Sequence, residues 1–119
     1  MYSLIIGLSP SKGARSPKLW NKAYKHFNID CRMRACDIAN EKDLIDLFNQ
    51  LSSDNSFQGG SVTFPYKEKV ANILSNSIPD KSALKLGAVN SIYKNDLGVL
   101  CGANTDGIAA LNCIENIFF

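Results

Sequence analysis

The apolar positions of this chain fall into short blocks whose period changes along the sequence. Residues 2–7, Tyr-Ser-Leu-Ile-Ile-Gly, form an apolar run that stops at a glycine and predict a buried strand. Ser9-Pro10-Ser11-Lys12-Gly13 is loop chemistry. Ser16-Pro17 then sets an N-cap residue before a proline at the first helical position. The helix that follows carries Trp20, Ala23, Tyr24 and Phe27 at spacings of three and four, which predicts one apolar face. Residues 30–36 alternate loosely and predict a second strand. Asn40 can cap the next helix, and Glu41 and Asp43 suit its positive end. Its core stripe is Leu44, Leu47, Phe48 and Leu51. Residues 52–60 are polar and hold two adjacent glycines, which predicts a loop, with a short strand over Ser61–Phe64. Pro65 is the expected first residue of another helix, with Val70, Ile73 and Leu74 inward. Pro79 opens a short helical segment to Leu86. Residues 89–93 and 99–103 predict two strands around the hairpin signal Asn95-Asp96-Leu97-Gly98. A last helix from Thr105 aligns Ile108, Leu111, Ile114 and Phe118. This alternation predicts an α/β fold: a three-layer domain with a mostly parallel sheet flanked by helices, plus one antiparallel hairpin.

Composition narrows the class. The chain has 119 residues, 45% of them hydrophobic and 20% charged, which fits one globular domain and excludes a disordered chain. No apolar run approaches the ~20 residues of a membrane span, and Met1–Gly7 has no basic region of the kind that opens a secretory signal. The 13 basic and 11 acidic residues leave a net charge of +2, too even a balance for a nucleic-acid surface. Lys18, Lys22, Lys25, Arg32 and Arg34 read as solvated helix and strand surface. Cys31, Cys36, Cys101 and Cys113 are scattered, and His26 is the only histidine, so no metal site is expected. The cysteines read as reduced thiols of a cytoplasmic protein. The last residues, Ile117-Phe118-Phe119, lack the glycine or basic residue that a helix end prefers. Two readings stay open: more protein or a partner follows here, or the tail packs back on its own core.

Three segments place small polar groups at strand ends or helix starts, where ligands of open α/β sheets collect. They are Ser61-Val62-Thr63-Phe64-Pro65-Tyr66-Lys67-Glu68, Gly87-Ala88-Val89-Asn90-Ser91-Ile92 and Gly102-Ala103-Asn104-Thr105-Asp106-Gly107. Lys67 falls in a first helical turn, where the helix dipole disfavours a cation by roughly 0.3–1 kcal/mol. The same field disfavours the charged amine, which suits a proton-transfer role. The competing reading is an exposed lysine beside Glu68. Asp106, after Asn104-Thr105, also suits plain helix capping, Thr63 suits a strand, and Ser16 suits a helix cap. Asn90 needs hydrogen-bond partners if it is buried.

Together these segments resemble the amino-terminal substrate domain of the shikimate dehydrogenase family. The resemblance rests on V-T-x-P-Y-K-E, A-V-N-S and N-T-D-G in this order, with Ala14-Arg15-Ser16-Pro17-Lys18-Leu19-Trp20-Asn21 matching the family's S-x-S-P-x-x-H-N segment. It implies that Lys67 and Asp106 form the catalytic pair beside the reacting hydroxyl. Asn90 and Thr63 would bind ring hydroxyls, and Ser16 the substrate carboxylate. Three positions depart from the family: Ala14 replaces the first carboxylate-binding serine, Ser61 replaces the asparagine before V-T, and Trp20 stands where histidine is common. Ser61 remains the expected substrate-binding residue at its position. Each lost hydrogen bond implies about 1–3 kcal/mol of weakened or shifted ligand choice, so quinate or a related polyhydroxy-carboxylate joins shikimate as a candidate.

The resemblance also implies a second, nucleotide-binding Rossmann domain that this sequence lacks. No G-x-G-x-x-G occurs, and Gly59-Gly60 precede a predicted strand where a phosphate loop would follow one. The expectation is therefore a substrate-binding domain over residues 1–119 with no cofactor site of its own. The complete enzyme would interconvert 3-dehydroshikimate and shikimate with NADP, and the isolated chain would bind ligand and turn nothing over. The alternatives are a stand-alone binding module for a cyclic hydroxy-carboxylate, and an interaction protein docking through its apolar end.

Overall fold

The structure, a computed structural model, describes residues 1–118. Phe119, the last of the three terminal apolar residues, lies outside the described residues. Five strands form one sheet in the order β2-β1-β3-β4-β5. They are β1 (Tyr2–Gly7), β2 (Arg32–Asp37), β3 (Phe57–Val62), β4 (Ser91–Lys94) and β5 (Leu100–Ala103). β1 pairs in parallel with β2 and β3. β4 runs antiparallel to both β3 and β5, so it alone is reversed and the other four strands end at one edge.

Helices cover both faces, as the alternation predicts. α2 (Glu41–Ser53), α3 (Lys67–Ile73) and α4 (Lys81–Leu86) pack on one face. Leu44, Phe48 and Leu51 of α2, Val70 of α3 and Ala83 of α4 join Leu4, Ile6, Phe57, Val62 and Ile92 of the sheet in a single core. α1 (Ser16–His26) lies on the opposite face. Here Asn21 clamps the edge strand: its amide donates to the Met33 carbonyl at 3.0 Å and its oxygen accepts from the Met33 N–H at 2.7 Å. The Tyr24 hydroxyl lies 3.0 Å from Ser3 Oγ, which adds a second tie to the sheet. The predicted apolar face of α1 is only partly used. Ala23 and Tyr24 are half-buried, while Trp20 and Phe27 are 47% and 69% exposed. The helix grips the edge through a polar clamp, so those two aromatics carry little of its attachment.

Local signals act where they are strong. Asn40 accepts from Asp43 N–H at 2.9 Å and caps α2. Asp80 caps α4 by accepting from Ser82 N–H at 2.9 Å, and Gly87 ends that helix at φ 64°. In the hairpin, Asn95 Oδ1 accepts from Leu97 and Val99 N–H groups at 2.9 and 3.0 Å.

Three expectations are corrected. β3 begins at Phe57 and runs through Gly59-Gly60, which the sequence pattern puts in a loop. A Cβ on Gly60 would sit 1.9 Å from the Leu4 carbonyl oxygen, and one on Gly59, at φ 147°, 2.5 Å from that of Ile92. The two glycines thus let the central strand approach both neighbours, and the register slips by one residue at Gln58, between Tyr2 and Ser3 of β1. α3 begins at Lys67, two residues after Pro65. Thr63 O accepts from Tyr66 N–H at 3.2 Å, so a turn occupies the intervening residues. Ser16 is the first residue of α1 and is not its side-chain cap; Arg15 takes the N-cap position without a side-chain hydrogen bond.

α5 (Asp106–Phe118) leaves the sheet after β5 with all of its residues exposed. Ile108, Leu111, Ile114, Ile117 and Phe118 are exposed with them, so the described part of the tail does not pack back on the core.

Candidate functional site

One edge of the sheet collects the candidate residues. The carboxyl ends of β1, β3 and β5 and the amino end of the reversed β4 all lie there. Ser16 follows β1, Thr63 and Lys67 follow β3, Asn90 precedes β4 and Asp106 follows β5. Segments far apart in sequence therefore meet where a ligand of an open α/β sheet is expected.

Lys67 Nζ donates to Asp106 Oδ2 at 2.8 Å. Each residue opens its helix, so each is fixed by a helix start. The Lys67 carbonyl accepts from Val89 N–H at 2.9 Å, tying α3 to the segment that leads into β4. Ahead of Lys67, the buried Tyr66 hydroxyl donates to the Ile38 carbonyl at 2.6 Å. Ahead of Asp106, Asn104 Oδ1 accepts from the N–H groups of Asp106 and Gly107 at 3.0 and 3.3 Å. Asn104 Nδ2 donates to the Ala88 carbonyl at 3.0 Å.

Asn90 is buried and satisfied. Its oxygen accepts from Thr105 N–H and its amide donates to Thr105 Oγ1, both at 2.9 Å. This pair of hydrogen bonds fixes the start of the segment carrying Asp106 against β4. The hydrogen bond from Lys67, with the Asn90 amide nearby, holds the Asp106 carboxyl below the usual carboxylate range, against the opposing effect of partial desolvation. The Lys67 and Asp106 side chains are 38% and 62% exposed. A pair that open to solvent adds at most about 1 kcal/mol to folding and remains reachable by a ligand.

Thr63 and Ser16 line a common cleft of about 410 Å³, together with Ala14 and Arg15. Thr63 and Lys67 line an adjoining one of about 430 Å³. Thr63 is thus shared by the two, with Ser16 at one end and Lys67 at the other. Gly7 makes this approach possible, because a Cβ there would lie 2.4 Å from Thr63 Cγ2. Ser61 stands apart. It pairs with Ser91 within the sheet and lines a separate depression of about 250 Å³ floored by Ser3 and walled by Trp20 and Tyr24. The sequence reading passed over Thr105 and Tyr66, which orient the site through hydrogen bonds to partners distant in sequence. It also passed over Arg15, whose signal was a cation at a helix start with no acid in the first turn.

Among the described residues no group of three or more His, Cys, Asp or Glu side chains is placed to hold a metal. Gly59 and Gly60 face neighbouring strand carbonyls, so they do not form a phosphate cradle. No helix of the described residues is long and apolar enough to cross a membrane.

Comparison with known proteins agrees with this geometry. Residues 5–92 match the family model described as the shikimate dehydrogenase substrate binding domain. A shikimate dehydrogenase (NADP(+)) of Mesorhizobium japonicum is 38% identical over 98 residues, covering 82% of this chain and 33% of that protein. One from Methanosphaera stadtmanae is 35% identical over 117 residues, covering 95% of this chain and 39% of that protein. The crystal structure of a Listeria monocytogenes shikimate 5-dehydrogenase, in complex with shikimate and NAD, superposes with a TM-score of 0.82 at 26% identity. That match covers 98% of this chain and 38% of the other. The chain spans between a third and two fifths of the length of these relatives. With the sheet order, the shared edge and these matches in hand, the chain belongs to the shikimate dehydrogenase family, as a substrate-binding domain.

Proposed function

We propose that this chain is the substrate-binding part of an NADP-dependent shikimate dehydrogenase, spanning residues 1–119. The observation that carries the reading is the Lys67–Asp106 ion pair at the sheet edge, beside the cleft that joins Thr63 to Ser16. Ser16 would face the substrate carboxylate, and Thr63 and Asn90 the ring hydroxyls. Lys67 and Asp106 would meet the hydroxyl that is oxidised. Oxidation of an alcohol needs a group that takes or holds the hydroxyl proton at hydrogen-bond distance. Asp106 is kept ionised at neutral pH and acts as an acceptor. Lys67 is the pair's donor and its positive charge would steady a developing alkoxide.

A bound nicotinamide cofactor would supply the hydride chemistry. The residues described here do not fit that role, since the glycine pair is taken up by sheet packing. On this reading the cofactor site would lie on a further domain or a partner chain, and the reading calls for no nucleic acid or membrane. Four unpaired cysteines favour the cytoplasm. Ser61 is the weakest of the proposed ligand contacts, because it opens into the α1-side depression. Similarity to dehydrogenases along most of the chain favours this function over a stand-alone binding module or a docking protein.

Calorimetric titration of the chain with shikimate, and separately with quinate, tests the reading. The expected result is dissociation constants at or below about 1 mM for at least one ligand, weakened tenfold or more in Lys67→Ala and Asp106→Ala, on the scale of a lost charge-assisted hydrogen bond. Absence of binding to either acid would overturn it.

A further inference from the structure

The connection between β1 and α1, residues 8–15, supplies much of the cleft wall: Leu8, Ser9, Pro10, Ala14 and Arg15 all line it. Its position therefore decides the shape of the site. Pro10 is buried, and the hydrogen bonds that reach the segment from outside fall at two places. At its start, Leu8 N–H donates to the Phe64 carbonyl at 3.2 Å. In its middle, one residue from outside the cleft takes over. Asp37, at the carboxyl end of β2 and in register with Gly7, accepts from Ser11 N–H through Oδ1 at 2.9 Å and from Ser11 Oγ through Oδ2.

From Ser11 onward the backbone is tightly wound. Lys12 N–H donates to the Ser9 carbonyl at 3.1 Å, and Ala14 N–H to the Pro10 carbonyl at 3.0 Å. Leu19 N–H then donates to the Arg15 carbonyl at 3.1 Å in the first turn of α1. A displacement at Ser11 is thus passed through a short, hydrogen-bonded stretch to Ala14, Arg15 and Ser16. The Ser11 bonds also hold the Asp37 carboxyl below the usual carboxylate range, so the acceptor is ionised at neutral pH and both bonds are charge-assisted.

We propose that Asp37 is a positioning residue for ligand binding: by gripping Ser11 it sets the segment Ala14–Ser16 against the cleft, without touching ligand itself. The proposal rests on the cleft being the substrate site. It also accounts for how an exposed, non-cleft carboxylate would influence affinity at Ser16.

Two measurements on the same variants test it. Shikimate, or quinate where the wild-type chain binds only that acid, is titrated calorimetrically into the wild-type chain and into Asp37→Ala, Asp37→Asn, Ser11→Ala and the Asp37→Ala/Ser11→Ala double variant. Amide hydrogen exchange is followed at Gly13 and Ala14. The expected result is about tenfold weaker binding in Asp37→Ala, the scale of one charge-assisted hydrogen bond. The double variant should be no weaker than Asp37→Ala alone. Asp37→Asn, which keeps an acceptor for Ser11 N–H but not the charge, should recover part of the loss, and exchange at Ala14 should speed up in Asp37→Ala. If that variant loses its fold, Ser11→Ala carries the test, with a smaller loss of binding and faster exchange at Ala14. Wild-type affinity in the folded variants, additive losses, or unchanged exchange at Ala14 would overturn the positioning role while leaving the cleft assignment standing. Failure of the wild-type chain to bind either shikimate or quinate would overturn the cleft assignment, and this inference with it.

Discussion

Lys67 and Asp106 open two different helices, and the 2.8 Å contact between them joins α3 to α5 across the edge of the sheet. Neither residue had a compelling reason to be singled out from its own surroundings in the sequence. A lysine beside a glutamate and an aspartate after Asn-Thr both have ordinary surface explanations, and only the order of the motifs pointed to a pair. The hairpin signal already set β4 antiparallel to β5; what the sequence could not express is that the reversed β4 also docks on β3, the strand that leads to Lys67. That reversal brings Asn90 beside Thr105 and so brings Asp106 toward Lys67. The pair makes a prediction about protonation. The Asp106 carboxyl titrates below the usual range chiefly because Lys67 donates to it. Its contribution to stability is therefore complete above the ordinary carboxylate pKa, about 4. It is lost as pH falls through the lower folded value. Carboxyl-carbon NMR titration should show the Asp106 midpoint moving up toward the ordinary range in Lys67→Ala. An unmoved midpoint would mean that Lys67 does not set it. The solvent exposure of both side chains keeps the accompanying stability change small.

At the scale of the element, strong local chemistry was legible and long-range chemistry was not. Asn40 and the Asn95–Gly98 turn act as the sequence pattern predicts, whereas α4 starts at Lys81, two residues after the expected Pro79, with Asp80 and Gly87 as its caps. The stripe Leu44, Phe48 and Leu51 is buried as its spacing requires. The start of β3 was missed because two glycines in a polar stretch carry loop propensity, and what overrides it is the close backbone of Leu4 and Ile92. The same fact yields a prediction. Gly60→Ala places a methyl group 1.9 Å from a backbone carbonyl oxygen that cannot rotate away. It should lower the unfolding free energy by about 3 kcal/mol. Chemical denaturation measures this, and a loss below about 1 kcal/mol would mean that β3 does not pass so close to β1. The Asp37–Ser11 contact was likewise invisible, since the two residues are 26 apart in sequence and meet only when β2 lies beside β1.

Across the whole molecule, burial is uneven. One face of the sheet holds the core under α2, α3 and α4, the other is covered by α1 near β2 and β1, and α5 stands clear. The apolar stripe of α5 therefore contributes little to the stability of the described domain. Replacing Ile108, Leu111 or Ile114 with glutamine, a comparably good helix former, should change the unfolding free energy by no more than about 0.5 kcal/mol. Leu44→Ala, by contrast, removes a fully buried side chain and should cost about 2–5 kcal/mol. Losses of core size from the α5 substitutions would show that this helix is packed within the domain. On the proposed reading, residues from four separate segments make one site at the strand edge. Amide chemical-shift mapping during a titration with shikimate is the decisive test. Saturable shifts concentrated at Ser16, Thr63, Lys67, Asn90 and Asp106 are expected. Saturable shifts centred instead on the sheet face beside Trp20 and Tyr24, or no shifts at saturating ligand, would contradict it.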